Sequence, residues 1–146
     1  MSLLQLKNLN IFYAADAAVH DLSFAVDVGE CVGLVGESGS GKTQTALAIL
    51  GLLPQSATVT GSITFAGSEI LNASEKALND IRAVRAAMVF QDPMQSLNPY
   101  LTIGRQLGYI LAAHKLAEGA AADDRVIEML QRVGLPDPQR QFRAYP

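Results

Sequence analysis

Gly36-Glu37-Ser38-Gly39-Ser40-Gly41-Lys42-Thr43 has the spacing G-x-x-x-x-G-K-[ST]. The chemistry that this spacing supports is phosphate binding. Its glycines let the backbone curl closely around phosphate oxygens, so that successive N–H groups form an anion nest. A helix starting near Gly41 aims its positive end at the same charge. Lys42 adds a full charge that reaches β- and γ-phosphates, and Thr43 offers a hydroxyl to Mg²⁺, which keeps most of its shell as water and phosphate. The pattern indicates nucleoside triphosphate binding without choosing among kinases, GTPases and ATPases.

Two further side chains are candidates. The segment Val89-Phe90-Gln91-Asp92-Pro93 puts Gln91 at the expected carboxyl end of a strand, where ligands gather in open α/β sheets. A neutral amide there accepts from a metal-bound water and donates to phosphate without adding negative charge. Tyr13 offers a ring that can stack on a base. Taken alone, Gln91 is better read as an ordinary strand-end glutamine, and Tyr13 as core or surface filling. Asp92, beside Pro93, suits a turn rather than a base. His20 reads as a surface or turn residue and His114 as packing.

The elements that must position these residues follow from pattern. Leu4, Leu6, Leu9 and Ile11–Tyr13 form a strand pattern with imperfect alternation, and Leu22, Phe24 and Val26 alternate as a half-buried strand. Cys31–Val35 and Ala87–Gln91 are short continuous apolar runs, expected to be strands covered on both faces. Thr43–Leu53 is helical in pattern, Ser62–Phe65 a strand and Ala66-Gly67-Ser68 a turn. Ser74 begins a helix carrying Ala77, Leu78 and Ile81. Asp92-Pro93 and Asn98-Pro99 bracket a loop. Thr102 caps a helix with Ile103, Leu107, Ile110 and Leu111 on one face. A second helix turns Val126, Leu130 and Val133 inward and ends at Gly134. Strands thus dominate before about residue 92 and helices after it.

Composition narrows the class. The 146 residues are 49% hydrophobic and 17% charged, with a net charge of −3. That excludes a disordered chain and leaves no basic surplus for a general grip on nucleic acid. One cysteine, Cys31, excludes an internal disulfide framework and a thiolate metal cluster. The longest apolar stretch, Ala46–Leu53, falls well short of the roughly 20 residues of a membrane span, and no signal-peptide core follows the first residues. A cytoplasmic chain is the expectation.

GECVGLVGESGSGKT followed by MVFQDPMQSLNP resembles the nucleotide-binding subunit of an ABC transporter, along essentially the whole chain from Leu3 to Pro146. MVFQDPMQSLNPYLTIGRQL is more narrowly similar to the ATPases of dipeptide, oligopeptide and nickel importers. The resemblance implies an α/β fold: a P-loop NTPase, with a RecA-like core and an antiparallel β subdomain, plus the start of a helical subdomain. It divides the chain into an ATP-binding core over 1–91 and a Q-loop with partial helical subdomain over 92–146. It implies ATP and Mg²⁺ as ligands. Tyr13 becomes the aromatic that stacks on adenine, and Gly36, Glu37, Ser38, Gly39, Ser40, Gly41, Lys42, Thr43 and Gln44 the Walker A loop and its exit. Lys42 and Gln91 carry the catalytic roles, and Thr43 and Gln91 face the metal. The implied partners are transmembrane permease subunits, a second ABC ATPase subunit and, indirectly, a substrate-binding protein, at the inner face of the cell membrane and without nucleic acid.

A signature of the LSGGQ type, a strand ending in Asp-Glu after Gln91 and a switch histidine do not occur in these 146 residues. The expectation is therefore the front part of a cassette, whose parent protein is an ABC-type ATPase and which alone turns over negligible ATP. The alternative is a soluble ABC-type ATPase acting in DNA repair or translation. A small-molecule kinase would need basic lid residues, whereas Arg82, Arg85, Arg105, Arg125 and Arg132 are scattered and read as solvated helix faces.

Overall fold

The computed structural model describes residues 2–82, 84–91 and 96–146. The expected turn at Asp92-Pro93 lies outside them. The chain divides into two compact units, Met1–Met88 and Val89–Pro146.

The first unit is built on an antiparallel sheet ordered β2-β1-β3-β4. Its strands are β1 (Ser2–Tyr13), β2 (Asp16–Asp27), β3 (Ala57–Phe65) and β4 (Ser68–Glu69). The imperfect alternation of β1 has a structural cause, because its register against β2 shifts four times, the last between Ile11 and Phe12. Such irregularities re-aim side chains, here just before Tyr13. Leu6, Leu9, Ile11 and Ile63 are fully buried at the centre of the sheet's core. β3 runs five residues further upstream than the apolar pattern marks. It passes Gly61 (φ +107), where an added Cβ would lie 2.7 Å from the Lys7 carbonyl.

Helix α1 (Lys42–Ile49) packs on this sheet through Thr45 and Ala48. It is shorter than its 43–53 pattern. Gly51 takes up a left-handed φ of +62°, and the bonds Gly51 N–H to Ala48 O (3.0 Å) and Leu52 N–H to Leu47 O (2.8 Å) close a Schellman stop. Helix α2 (Glu75–Asn79) is capped by Ser74, whose hydroxyl accepts from Ala77 N–H at 3.4 Å.

Two expected strands do not form. Neither Cys31–Val35 nor Ala87–Phe90 pairs as a strand, and Val35 is 90% and Val89 91% exposed. A strand in a parallel sheet exists through its neighbours, and among the described residues none is hydrogen-bonded beside either segment. Consistent with this, an apolar hollow of about 430 Å³ opens among Leu22, Phe24, Val26, Val32, Leu34 and Ile49.

The second unit is helical: α3 (Ile103–Ala113), α4 (Gly119–Arg132) and α5 (Pro138–Arg143). Thr102 caps α3, accepting from Arg105 N–H at 3.4 Å. Gln106 ties the preceding loop down, accepting from Asn98 N–H at 2.9 Å and donating to Leu101 O at 3.0 Å. Val126 and Leu130 are buried as expected, but Val133 is 69% exposed. It is the C-cap of α4, and Gly134 (φ +77) ends the helix directly after it, so the last position of the stripe lies beyond the buried part of the helix. The apolar pattern gives no sign of α5, since the six residues after Asp137 are one proline, four polar residues and one phenylalanine and show no periodic stripe.

Glu69 closes the β3–β4 corner. Its carboxylate accepts from the Ser62 hydroxyl and, at 2.9 Å each, from the N–H groups of Ile63 and Leu71. Slight burial opposes its charge, but the Ser62 hydroxyl and the N–H groups of Leu71, Ile63 and Ile70 outweigh it and hold its pKa below the usual carboxylate value. A depressed pKa contributes stability that is complete above the unfolded value, about 4.3, and is lost as pH falls through the folded one. Urea midpoints should therefore separate the parent from Glu69→Gln near neutral pH. Between about pH 5 and pH 3 the parent's midpoint should fall toward that of the variant.

Candidate functional site

The glycine-rich segment forms a loop closed by Ser40 N–H donating to Glu37 O at 3.2 Å. Gly39 (φ +82) and Gly41 (φ +84) both lie in the left-handed region, which makes successive N–H groups turn inward. Gly41 is also wedged against β2. A Cβ there would meet the Ala18 carbonyl oxygen and would stand 2.7 Å from Val19 Cγ2. Gly41 is the N-cap of α1, with no side-chain oxygen capping it and no acidic residue in the first turn. The orphan N–H groups of that turn are left for an anion.

Lys42 folds over the loop. Its Nζ donates to Glu37 O at 2.6 Å, Gly36 O at 2.8 Å and Ser40 Oγ at 3.2 Å. The ammonium is thus held at the loop's mouth by neutral acceptors, which anionic phosphate oxygens outcompete as charge-assisted partners. Thr43 lies beside it, exposed. Thr45, one turn on from Gly41 and 2% exposed, anchors the helix start, its N–H and Oγ1 both donating to Gly41 O at 2.8 and 3.0 Å.

Tyr13 stands at the same site. A hollow of about 380 Å³ is lined by Tyr13 and Ala18 on the hairpin side and by Gly39, Lys42, Thr43 and Gln44 on the loop side. The Tyr13 hydroxyl donates to Gln44 Oε1 at 2.6 Å. The structure therefore brings together Tyr13, the glycine loop, Lys42, Thr43 and Gln44. Gln91 belongs to the second unit, where it is exposed. His20 is exposed on β2, and His114 is the half-buried C-cap of α3. Among the described residues no cluster of three His, Cys, Asp or Glu side chains gathers as a metal site. A loop hydroxyl and phosphate oxygens, the donor set suited to Mg²⁺, need no such cluster.

Arg82 corrects the reading of the arginines as solvated. Only 20% of its side chain is exposed. Its Nε donates to Leu50 O and Nη2 to Gly51 O, both at 2.8 Å, while Nη1 reaches Glu75 Oε2 at 2.9 Å and Asn79 Oδ1 at 3.2 Å. The guanidinium caps the carboxyl end of α1 and ties it to α2. A positive charge there complements the helix dipole. The sequence hints at this only through Gly51 as a helix stop, because Arg82's carbonyl partners lie 31 and 32 residues away.

The profile of the ABC transporter family matches residues 19–145. Over 148 aligned residues the chain is 45% identical to the oligopeptide transport ATP-binding protein OppD of Salmonella typhimurium, covering 99% of this chain and 44% of that protein. It is 44% identical over 150 residues to the peptidoglycan transport ATP-binding protein YejF of Agrobacterium fabrum, covering 99% and 28%. The chain thus spans less than half the length of these relatives. Among solved structures, an ATP-binding subunit of an ABC transporter superposes with a TM-score of 0.67 at 26% identity, over 99% of this chain and 55% of that one. A dimeric ATP-binding cassette in a post-hydrolysis state with ADP and phosphate gives 0.77 at 22% identity, over 98% and 61%, a likeness of fold. No helix among the described residues is long and apolar enough to cross a membrane.

The two left-handed glycines should differ in their tolerance. Gly39 has open space around a built Cβ and Gly41 has none. Gly39→Ala should cost about 1–2 kcal/mol, the usual penalty for a left-handed alanine. Gly41→Ala should cost more, about 2–4 kcal/mol, because β2 or α1 must also shift. Thermal or urea unfolding of the two variants side by side measures the difference.

Proposed function

Because the chain belongs to the ABC transporter family, we propose that it is the nucleotide-binding part of an ATPase that drives peptide uptake through a membrane permease. The observation that carries the reading is Lys42 Nζ, gathered over the loop within 2.6–3.2 Å of three neutral acceptors beside an uncapped helix start. That arrangement supports a phosphate site with Lys42 as its cation. The peptide class rests on the 45% identity to the Salmonella typhimurium protein.

Each residue then has a role. The N–H groups of Glu37 to Thr43 surround the β-phosphate, and Lys42 exchanges its loop carbonyls for β- and γ-oxygens. Fixed dipoles and one charge arranged before the nucleotide arrives need no reorganisation when charge develops on the transferred group. Thr43 would hold Mg²⁺, which would supply charge neutralisation to the phosphates, and the family resemblance gives Gln91 a metal-facing role as well. The same resemblance gives Gln91 a water-orienting role in phosphoryl transfer. Tyr13 stacks on adenine. The partners are permease subunits, a second ABC ATPase subunit and, through the permease, a substrate-binding protein, with the chain peripheral on the inner face of the membrane. ATPase action in DNA repair or translation has no support among these relatives, whose names state transport.

Equilibrium dialysis with Mg-ATP tests the reading. Lys42→Ala should weaken binding at least about tenfold, since a charge-assisted contact to phosphate is worth roughly 1.5–3 kcal/mol. Equal affinity in the parent and the variant would overturn it.

A further inference from the structure

We propose that Gln44 is a positioning residue for the base: its side chain acts on the Tyr13 hydroxyl, not on phosphate, and holds the ring where an adenine ring stacks. The inference rests on the nucleotide reading above and extends it to selectivity for an adenine nucleotide over its phosphate chain alone.

Three observations place the pair. The Tyr13 hydroxyl donates to Gln44 Oε1 at 2.6 Å, joining residues 31 apart in sequence. Both line the hollow that the glycine loop opens into. The Tyr13 backbone is held from both sides, opposite Asp16 on β2 and Ala57 on β3, so the ring's freedom lies in its side-chain torsions. An untethered tyrosine samples several staggered rotamers, and a stacking ligand must select one. Tethering the hydroxyl selects it beforehand, so less ordering is left for binding.

Helix geometry separates the two jobs on α1. Successive side chains leave a helix about 100° apart. Lys42 can therefore turn to the loop carbonyls while Gln44, two residues on, turns to Tyr13. The first turn of α1 serves the phosphates with its N–H groups and Lys42, and the base side with Gln44.

Calorimetric titration of the full chain with Mg-ADP and with Mg-tripolyphosphate tests this. Tyr13→Phe keeps the ring and removes the hydroxyl, and Gln44→Ala removes the acceptor. Each should weaken ADP binding about three- to tenfold, as one hydrogen bond allows. The double variant should be no weaker than the worse single one, and tripolyphosphate affinity should stay within about twofold throughout. Unchanged ADP affinity in either single variant, effects that multiply in the double one, or a parallel loss of tripolyphosphate would overturn the proposal. Lys42→Ala distinguishes the two readings, since it should weaken both ligands. If it does so while Tyr13→Phe and Gln44→Ala change nothing, the positioning role falls and the nucleotide reading stands. If the parent binds neither ligand, or Lys42→Ala changes neither, both fall.

Discussion

The close approach of Gly41 to β2 is the constraint on which the site depends. With the Ala18 carbonyl and Val19 pressed against its α-carbon, the residue has no room for a side chain and sits at φ +84°. That backbone state ends the loop and starts α1 in one step. It sets the direction of the first-turn N–H groups, because α1 leaves the sheet from a fixed point. It also brings Gln44 near Tyr13, since the hairpin that carries Ala18 carries Tyr13 five residues earlier. A displaced hairpin would disturb the phosphate end and the base end together.

α1 is a short helix of eight residues with only Thr45 and Ala48 buried. In water a helix of this length is marginal by propensity. Its ends are what hold it. At the start, Thr45 turns its hydroxyl back onto Gly41 O. At the finish, the Schellman stop at Gly51 and the Arg82 guanidinium satisfy carbonyls that would otherwise face water. The positive charge stands at the carboxyl end, and the open N–H groups at the other. The helix is thereby fixed by contacts that leave its amino end free for an anion.

What is legible in the sequence is chemistry that is local. The loop spacing, the Ser74 and Thr102 caps and the half-buried alternation of β2 each involve residues within a few positions of one another, and each occurs in the structure. What is not legible depends on distant partners. The run Cys31–Val35 has the composition of a buried strand, but a strand is made by its neighbours, and here the run is exposed. Val133 continues a helical stripe on paper, yet it is the C-cap of α4, where the left-handed turn at Gly134 ends the helix, and it is left exposed. Arg82 looks like surface because its carbonyl partners at the end of α1 are more than 30 residues away. The Tyr13–Gln44 bond is hidden for the same reason, although each residue is a candidate by itself.

Arg82 and Gln44 together show how one helix is held from both ends. A nucleotide presents a ring and a chain of phosphates, which differ in every physical respect: one flat and weakly polar, the other highly charged and hydrated. Binding both on separate, independently moving elements would leave their spacing to be ordered by the ligand itself. On the nucleotide reading proposed above, the ring side (Tyr13 on β1) and the phosphate side (Gly41 to Thr43 on the loop and α1) are joined by a side-chain hydrogen bond at 2.6 Å and by the packing of Gly41 on β2. The first fixes an orientation and the second a distance. With both set before a ligand arrives, the entropy of arranging the two halves is lost on folding rather than on binding. The free energy of contact then goes to affinity and to discrimination between a nucleotide and its phosphates.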